Sequence, residues 1–176
     1  MATVKRRCPS PQLNRKETND TLSSVDQPIS KSGDTNQRVL FICTGNFYRS
    51  RFAEAIFNHH AEQRKIPWIA FSRGLAIHLA EGHLSAFTTE ALEARKIELR
   101  HTGPSRMKLS EMDLENSNRR IALDRFEHFG MIGKQFPGWE DRVEYWEVPD
   151  LPYRSVEEAL PEIERKVIRL LDEVSK

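Results

Sequence analysis

A cysteine, an arginine and a serine lie close together in the segment CTGNFYRS, residues 43–50. Arg49 follows Cys43 by six positions, and Ser50 comes directly after Arg49. A cysteine thiolate is a strong nucleophile, and the planar guanidinium of an arginine can bind two phosphate oxygens at once. Ser50 could donate a hydrogen bond to the sulfur. These residue types at this spacing predict nucleophilic attack by Cys43 on a bound phosphate ester.

The loop between Cys43 and Arg49 has the composition of an anion-binding turn. Gly45 is free to take unusual backbone dihedrals, and Asn46 is among the few other residues that tolerate a positive φ. A tight loop of this kind points several N–H groups toward one centre, and a following helix adds its unpaired N-terminal donors. The alternative is that Cys43 is a small buried apolar residue, as a cysteine at the end of a strand often is.

A thiolate that attacks a phosphate ester also needs an acid to protonate the departing oxygen. Asp150, in the stretch VPDLPY, is the candidate because it is predicted to follow the last strand. Pro149 and Pro152 flank it and stiffen the loop. The alternative for Asp150 is that it starts a turn.

The residues named above must be positioned by strands and helices. Along the chain, short apolar runs typical of strands alternate with helical patterns. Strands are predicted at 38–43, 68–74, 119–124 and 142–148, and helices at 50–65, 85–99, 125–134 and 155–174. In the second helix Phe87 is predicted to face inward, and in the last Ser155 and Glu158 match a capping box. The alternation predicts an α/β domain of three layers, flavodoxin-like, with a four-stranded parallel sheet and helices on both faces. Ligands of such sheets bind beyond the carboxyl ends of the strands, where the first strand ends at Cys43.

Composition limits the remaining possibilities. Residues 1–36 are polar and lack aromatic side chains, so they predict a disordered tail before a domain at 37–176. The 27 basic and 26 acidic side chains nearly balance, which gives no general attraction to nucleic acid or to an anionic membrane. Two cysteines, no apolar leader and no long apolar run predict a cytoplasmic protein. No spacing of His and Cys predicts a metal site.

The stretch VLFICTGNFYRSRFAEAIF resembles the phosphate loop of the low-molecular-weight protein tyrosine phosphatase family, whose motif is C-x-G-N-x-C-R-S-P. The resemblance extends over about residues 38–174. It implies that Cys43 forms a cysteinyl-phosphate, that Arg49 binds the phosphate and that Asp150 is the general acid and base. The phosphate-binding loop would be completed by Thr44, Gly45, Asn46, Phe47, Tyr48 and Ser50. No metal or organic cofactor is implied, and the substrate would be a phosphorylated protein or a small phosphomonoester.

The sequence departs from the family motif at three places. Tyr48 stands where the family often has a second cysteine, so the protective disulfide with the nucleophile cannot form. Arg51 replaces the usual proline and is expected to add positive charge near the mouth of the site. The acid loop reads Asp-Leu-Pro where the family has Asp-Pro, and Tyr153 is expected to line the pocket together with Tyr48.

Two other functions fit the same loop. Thioredoxin-coupled arsenate reductases share the fold and a C-T-G-N start, but they pass oxidation to further cysteines, and this chain has none after Cys43. A phosphate-binding or phosphoprotein-binding module that has lost turnover is the other alternative. The presence of Asp150 argues against it, because binding alone does not require an acid.

Overall fold

The computed structural model of the protein describes residues 37–176, and the predicted tail at 1–36 lies outside the described residues. The strands are β1 (Gln37–Cys43), β2 (Trp68–Gly74), β3 (Arg119–Ala122) and β4 (Glu144–Tyr145). The α-helices are α1 (Arg49–Arg64), α2 (Ala86–Ala94), α3 (Glu111–Glu115), α4 (Arg125–Gln135) and α5 (Val156–Val174). Single 3₁₀ turns occur at Ile77–Leu79, Leu99–His101 and Glu140–Arg142.

The four strands form one parallel sheet, as the sequence predicts, and their order is β2-β1-β3-β4. The apolar residues of β1 are buried on both faces because helices cover both sides of the sheet. One core cluster lies under α1 and α5 and includes Phe41, Phe57 and Ile163, while the other includes Ile42, Leu114 of α3 and Ile132 of α4. The protein therefore has the predicted three-layer, flavodoxin-like α/β fold.

This topology places the carboxyl end of β1 at a switch point. The chain leaves β1 for β2 on one side of the sheet and later returns to β3 on the other side. Loops after β1, β3 and β4 thus meet at one edge of the sheet, which is where ligands bind in open α/β sheets. Cys43 is the last residue of β1.

Several local predictions differ from the structure. Strand β4 has two residues, because Trp146 and Val148 bond to Ala122 and Leu123 without extending a regular ladder. Helix α2 ends at Ala94, and Lys96 beyond it has a left-handed backbone with φ of 58°. Ser155 precedes α5 but makes no side-chain cap, so the capping box predicted for this helix is wrong. The short helix α3 does have a full capping box, between Ser110 and Asp113.

Candidate active site

The loop between β1 and α1 is held in shape by Asn46. Its φ is 49°, in the left-handed region that asparagine tolerates. The side-chain oxygen accepts a hydrogen bond from the backbone N–H of Met107 at 2.8 Å. The amide nitrogen donates to Ser72 Oγ at 2.8 Å and to Ser50 Oγ at 3.2 Å. The backbone of Asn46 also packs closely against Gly74. Any larger residue there would clash, since a Cβ at position 74 would lie 2.9 Å from the backbone nitrogen of Asn46.

The bond from Asn46 leaves the hydroxyl proton of Ser50 free to be donated to another acceptor. Because Ser50 Oγ accepts from Asn46, its own proton is available for Cys43 Sγ, which lies 2.9 Å away. Ser72 likewise accepts from Asn46 and donates to Glu54 Oε2 at 2.6 Å. Glu54 therefore ends a chain of hydrogen bonds that begins at the sulfur, and Ser50 is placed to stabilise a thiolate.

Glu54 is buried in α1 together with Arg51. It accepts hydrogen bonds from Ser72, from Thr102 Oγ1 at 3.0 Å and from the backbone of Gly103 at 3.0 Å. Burial nevertheless raises the pKa of Glu54 above its ordinary value, despite these bonds and the nearby Arg51 guanidinium. Arg51 Nε lies 3.8 Å from Glu54 and donates to Thr102 at 2.6 Å. The expectation that Arg51 adds charge at the mouth of the site is wrong, because this arginine is buried against the loop at 102–103.

Arg49 is the buried cation of the site, with 1% of its side chain exposed. One terminal nitrogen donates to the carbonyl of Val148 at 3.0 Å. The other donates to Glu127 at 2.9 Å and to Asp150 at 2.6 Å. Burial alone would lower the pKa of Arg49, but Cys43 and the two carboxylates raise it overall. Its Nε has no partner among the described residues, which leaves one buried donor free for an oxyanion.

Asp150 reaches the site from the loop after β4. Its Oδ2 bonds to Arg49, while Oδ1 accepts a hydrogen bond from the backbone of Leu151 at 2.9 Å. The carboxyl is 40% exposed, so solvent reaches it. The strand order brings Asp150 to the edge of the sheet at which Cys43 lies, and both line one cavity of about 400 Å³.

Glu127 and His128, at the start of α4, belong to the site and were not expected from the sequence. Glu127 bonds to Arg49 through Oε2 and to Thr44 Oγ1 through Oε1. His128 accepts the N–H of Asp124 at its Nδ1, so the ring proton is on Nε2, 3.3 Å from Thr44 Oγ1. Burial would raise the pKa of Glu127, but His128, Arg49 and Thr44 together lower it well below the ordinary range. Glu127 is therefore a permanent negative charge beside the phosphate loop.

A sequence signal for Glu127 did exist. Asp124 accepts the N–H of Glu127 at 2.8 Å and so caps α4, which is the D-x-x-E pattern of a helix start. Asp124 thus holds the start of α4 as a hydrogen-bond acceptor. The capping pattern places Glu127 in the first turn of α4, directly above the edge of the sheet that carries Cys43.

Apolar side chains form the walls of the cavity above Cys43. They come from the phosphate loop, from the segment after β2, from α2 and from the acid loop: Phe47, Tyr48, Leu79, Ala80, Phe87 and Leu151. Phe87 does not face the core as predicted, but is partly exposed at the mouth, 6.1 Å from the Tyr48 ring. Burial, and next the charge of Asp150, raise the pKa of Tyr48 to about 12, so its hydroxyl stays neutral. Tyr153 does not line this cavity and instead lines a neighbouring groove.

Comparison with known proteins agrees with this geometry. The sequence profile of the family described as low molecular weight phosphotyrosine protein phosphatase matches residues 38–176. The chain belongs to this family. It is thus a member of a family of phosphatases.

The names of individual relatives specify two different substrates, phosphoarginine and phosphotyrosine. The protein-arginine-phosphatase of Bacillus subtilis (strain 168) is 30% identical over 105 residues, which are 60% of this chain and 67% of that protein. A low molecular weight protein tyrosine phosphatase from T. tengcongensis is 25% identical, with a TM-score of 0.67 over 78% of this chain and 99% of that chain. YfkJ from Bacillus subtilis is 27% identical, with a TM-score of 0.66 over 80% of this chain and 95% of that chain.

Two further observations concern metal ions and membranes. Among residues 37–176, no three His, Cys, Asp or Glu side chains are grouped so that they could hold a metal ion. No helix in the same range is both long and apolar enough to span a membrane.

Proposed function

We propose that this protein is a cysteine-dependent phosphomonoesterase that hydrolyses phosphotyrosine in proteins. One observation carries the proposal: a cavity with aromatic and aliphatic walls ends at a cysteine, a buried arginine with a free donor, and a carboxyl group. An aryl ring fits walls formed by Phe47, Tyr48 and Phe87, since such rings bind by burial and by edge-to-face contact.

The reaction proceeds in two displacements. The Cys43 thiolate attacks phosphorus, the bond to the tyrosine oxygen breaks, and Asp150 transfers its proton to that oxygen. Arg49 and the backbone N–H groups of the loop stabilise the charge that develops on the phosphoryl oxygens. Asp150, now ionised, then takes a proton from a water molecule that attacks the cysteinyl-phosphate, which releases inorganic phosphate and the thiolate.

Substrate binding would also release Asp150. In the structure this carboxylate accepts a hydrogen bond from a terminal nitrogen of Arg49, with its Oδ2 2.6 Å from that nitrogen. A phosphate that binds Arg49 through the free Nε and this terminal nitrogen together would displace the carboxylate from the N–H that it occupies. The acid thereby becomes free when the leaving group arrives.

Phosphoarginine is a second candidate substrate. Glu127 and Asp150 both lie at the phosphate end of the cavity, and both contact Arg49. A leaving group that carries a guanidinium would be attracted by two carboxylates. The curated relative from Bacillus subtilis is named for this activity. Parallel assays on a phosphotyrosine peptide and a phosphoarginine peptide of the same sequence would rank the two substrates by kcat/KM.

The test of the cysteine mechanism is a comparison of two serine variants. Cys43→Ser should lose all turnover of an aryl phosphate while it still binds inorganic phosphate, because the loop and Arg49 are unchanged. Cys8→Ser, the same substitution at the other cysteine of the chain, is the matched control and should behave as wild type. Wild-type turnover no greater than that of Cys43→Ser would refute the proposal. Equal loss of turnover and phosphate binding would assign Cys43 a structural role.

A further inference from the structure

A second groove lies beside the catalytic cavity, on the far side of the acid loop. Its volume is about 540 Å³, within the range of ligand sites. Glu127, Asp150 and Leu151 line both spaces, so the groove and the catalytic cavity adjoin each other. A chain whose phosphorylated residue enters the cavity can therefore reach the groove with a neighbouring residue.

The walls of the groove are large apolar side chains that face solvent. Phe126, near the start of α4, is 100% exposed, and Tyr153, in the acid loop, is 87% exposed. Pro149 and Leu151 complete the apolar lining. Exposed aromatic side chains gathered at one place usually mark a binding surface. Neither aromatic ring contributes to the two core clusters of the domain.

Two partly exposed carboxylates give the groove its charge, which selects the occupant. Glu127 and Asp150 line the groove with side chains that are 27% and 40% exposed, whereas Asp124 is buried and caps α4. Arg49 bonds to both exposed carboxylates and can offset only one charge. Cations close by in sequence are engaged elsewhere: Arg125 lies over the ring of Phe129, and Arg154 pairs with Glu162.

An apolar occupant would fit the walls but would remove water from these carboxylates without compensation. A lysine or arginine side chain satisfies both surfaces. Its aliphatic stem packs on the apolar walls, and its charged end faces the carboxylates or the faces of the two aromatic rings.

We propose that this groove is a subsite for a lysine or arginine side chain of the substrate protein, within about three residues of the phosphorylated one. The inference rests on the proposed function, since it assumes that the catalytic cavity takes a phosphorylated residue of a polypeptide. It adds a requirement on the neighbouring sequence that the catalytic groups themselves do not impose.

The test uses the full chain and a set of phosphotyrosine peptides. Each peptide carries arginine, leucine, alanine or glutamate at one flanking position, and a small aryl phosphate serves as the reference substrate. At one or more positions, kcat/KM should be about three- to tenfold higher for arginine than for leucine. The preference should shrink with added salt, because it is partly ionic. Equal values for arginine and leucine at every position, or a preference for leucine, would overturn the subsite.

Substitutions of Phe126 separate a cationic occupant from an apolar one. Phe126→Leu keeps an apolar side chain but removes the ring face, so the arginine preference should fall, whereas Phe126→Tyr should retain it. Met112→Ala, at an exposed apolar residue of α3 outside both spaces, is the matched control. An arginine preference that Phe126→Leu leaves unchanged would refute the role of the groove. Absence of aryl phosphate turnover would instead refute the proposed function, and the subsite with it.

Discussion

Glu127 is expected to weaken the binding of phosphate, and Glu127→Gln tests this directly. The carboxylate sits 2.9 Å from a terminal nitrogen of Arg49. A phosphate oxygen bound to that nitrogen would lie at a similar distance, so the two oxygens would be about 5 Å apart. The pKa of Glu127 is well below its ordinary range, and the carboxylate is therefore charged throughout the working pH range. Glutamine has the same shape but no charge.

The size of the effect follows from this separation. Two unit charges about 5 Å apart repel by about 1 kcal/mol in water and about 3 kcal/mol at an effective dielectric of about 20. Glu127 is 27% exposed, so solvent screens part of the repulsion and about 1.5 kcal/mol is a reasonable value. That energy corresponds to roughly a tenfold change in affinity.

The assay is competitive inhibition of aryl phosphate hydrolysis by inorganic phosphate. Glu127→Gln should lower the inhibition constant of phosphate about tenfold, and the difference should narrow as salt is added. Glu115→Gln, the same substitution at an exposed residue of α3, controls for the loss of one negative charge from the protein. If phosphate binds Glu127→Gln no better than wild type, or more weakly, then Glu127 serves mainly to hold Arg49 and the electrostatic reasoning is wrong.

Two further predictions concern the acid and the buried pair in α1. Asp150→Asn should slow turnover by about 10²- to 10⁴-fold for alkyl phosphates and much less for nitrophenyl phosphate, because a good leaving group needs no proton; a uniform loss across a leaving-group series would remove Asp150 as the acid. Arg51→Met should lower the free energy of unfolding by about 3 kcal/mol at neutral pH, since it leaves Glu54 buried without its cation. Because burial already raises the pKa of Glu54 above 4.5, the folded state then binds more protons than the unfolded state as pH rises past that value. Urea unfolding should therefore show a loss that is small near pH 4.5 and grows toward pH 7, and a loss independent of pH would contradict this reading.

The sequence predicted well the parts of the site that are close together in the chain. Cys43, Asn46, Arg49 and Ser50 lie within eight consecutive positions, and residue types such as asparagine at a left-handed position act through local backbone preference. The parallel α/β fold also followed from local patterns, since alternating apolar runs and helices permit few arrangements.

Contacts between distant segments were harder to predict. Arg51 was expected at the mouth of the site, but its position in α1 turns it toward the loop at 102–103, where Thr102 and Gly103 accept its hydrogen bonds. Phe87 was expected in the core because helical spacing places it on the apolar face of α2. Spacing identifies such a face but does not say what it packs against, and here Phe87 lies at the mouth of the catalytic cavity beside Tyr48.

By itself, then, the sequence determined the fold and the loop that carries Cys43 and Arg49, because both depend on neighbouring residues and on hydrophobic periodicity. Only the tertiary structure decided the surroundings of Arg49. Its carboxylate partners Glu127 and Asp150 lie 78 and 101 residues further along the chain. They meet at one guanidinium because β1, β3 and β4 are neighbours in the sheet and their loops leave it at the same edge. The charge balance of the site, and the acidic groove beside it, arise from that meeting.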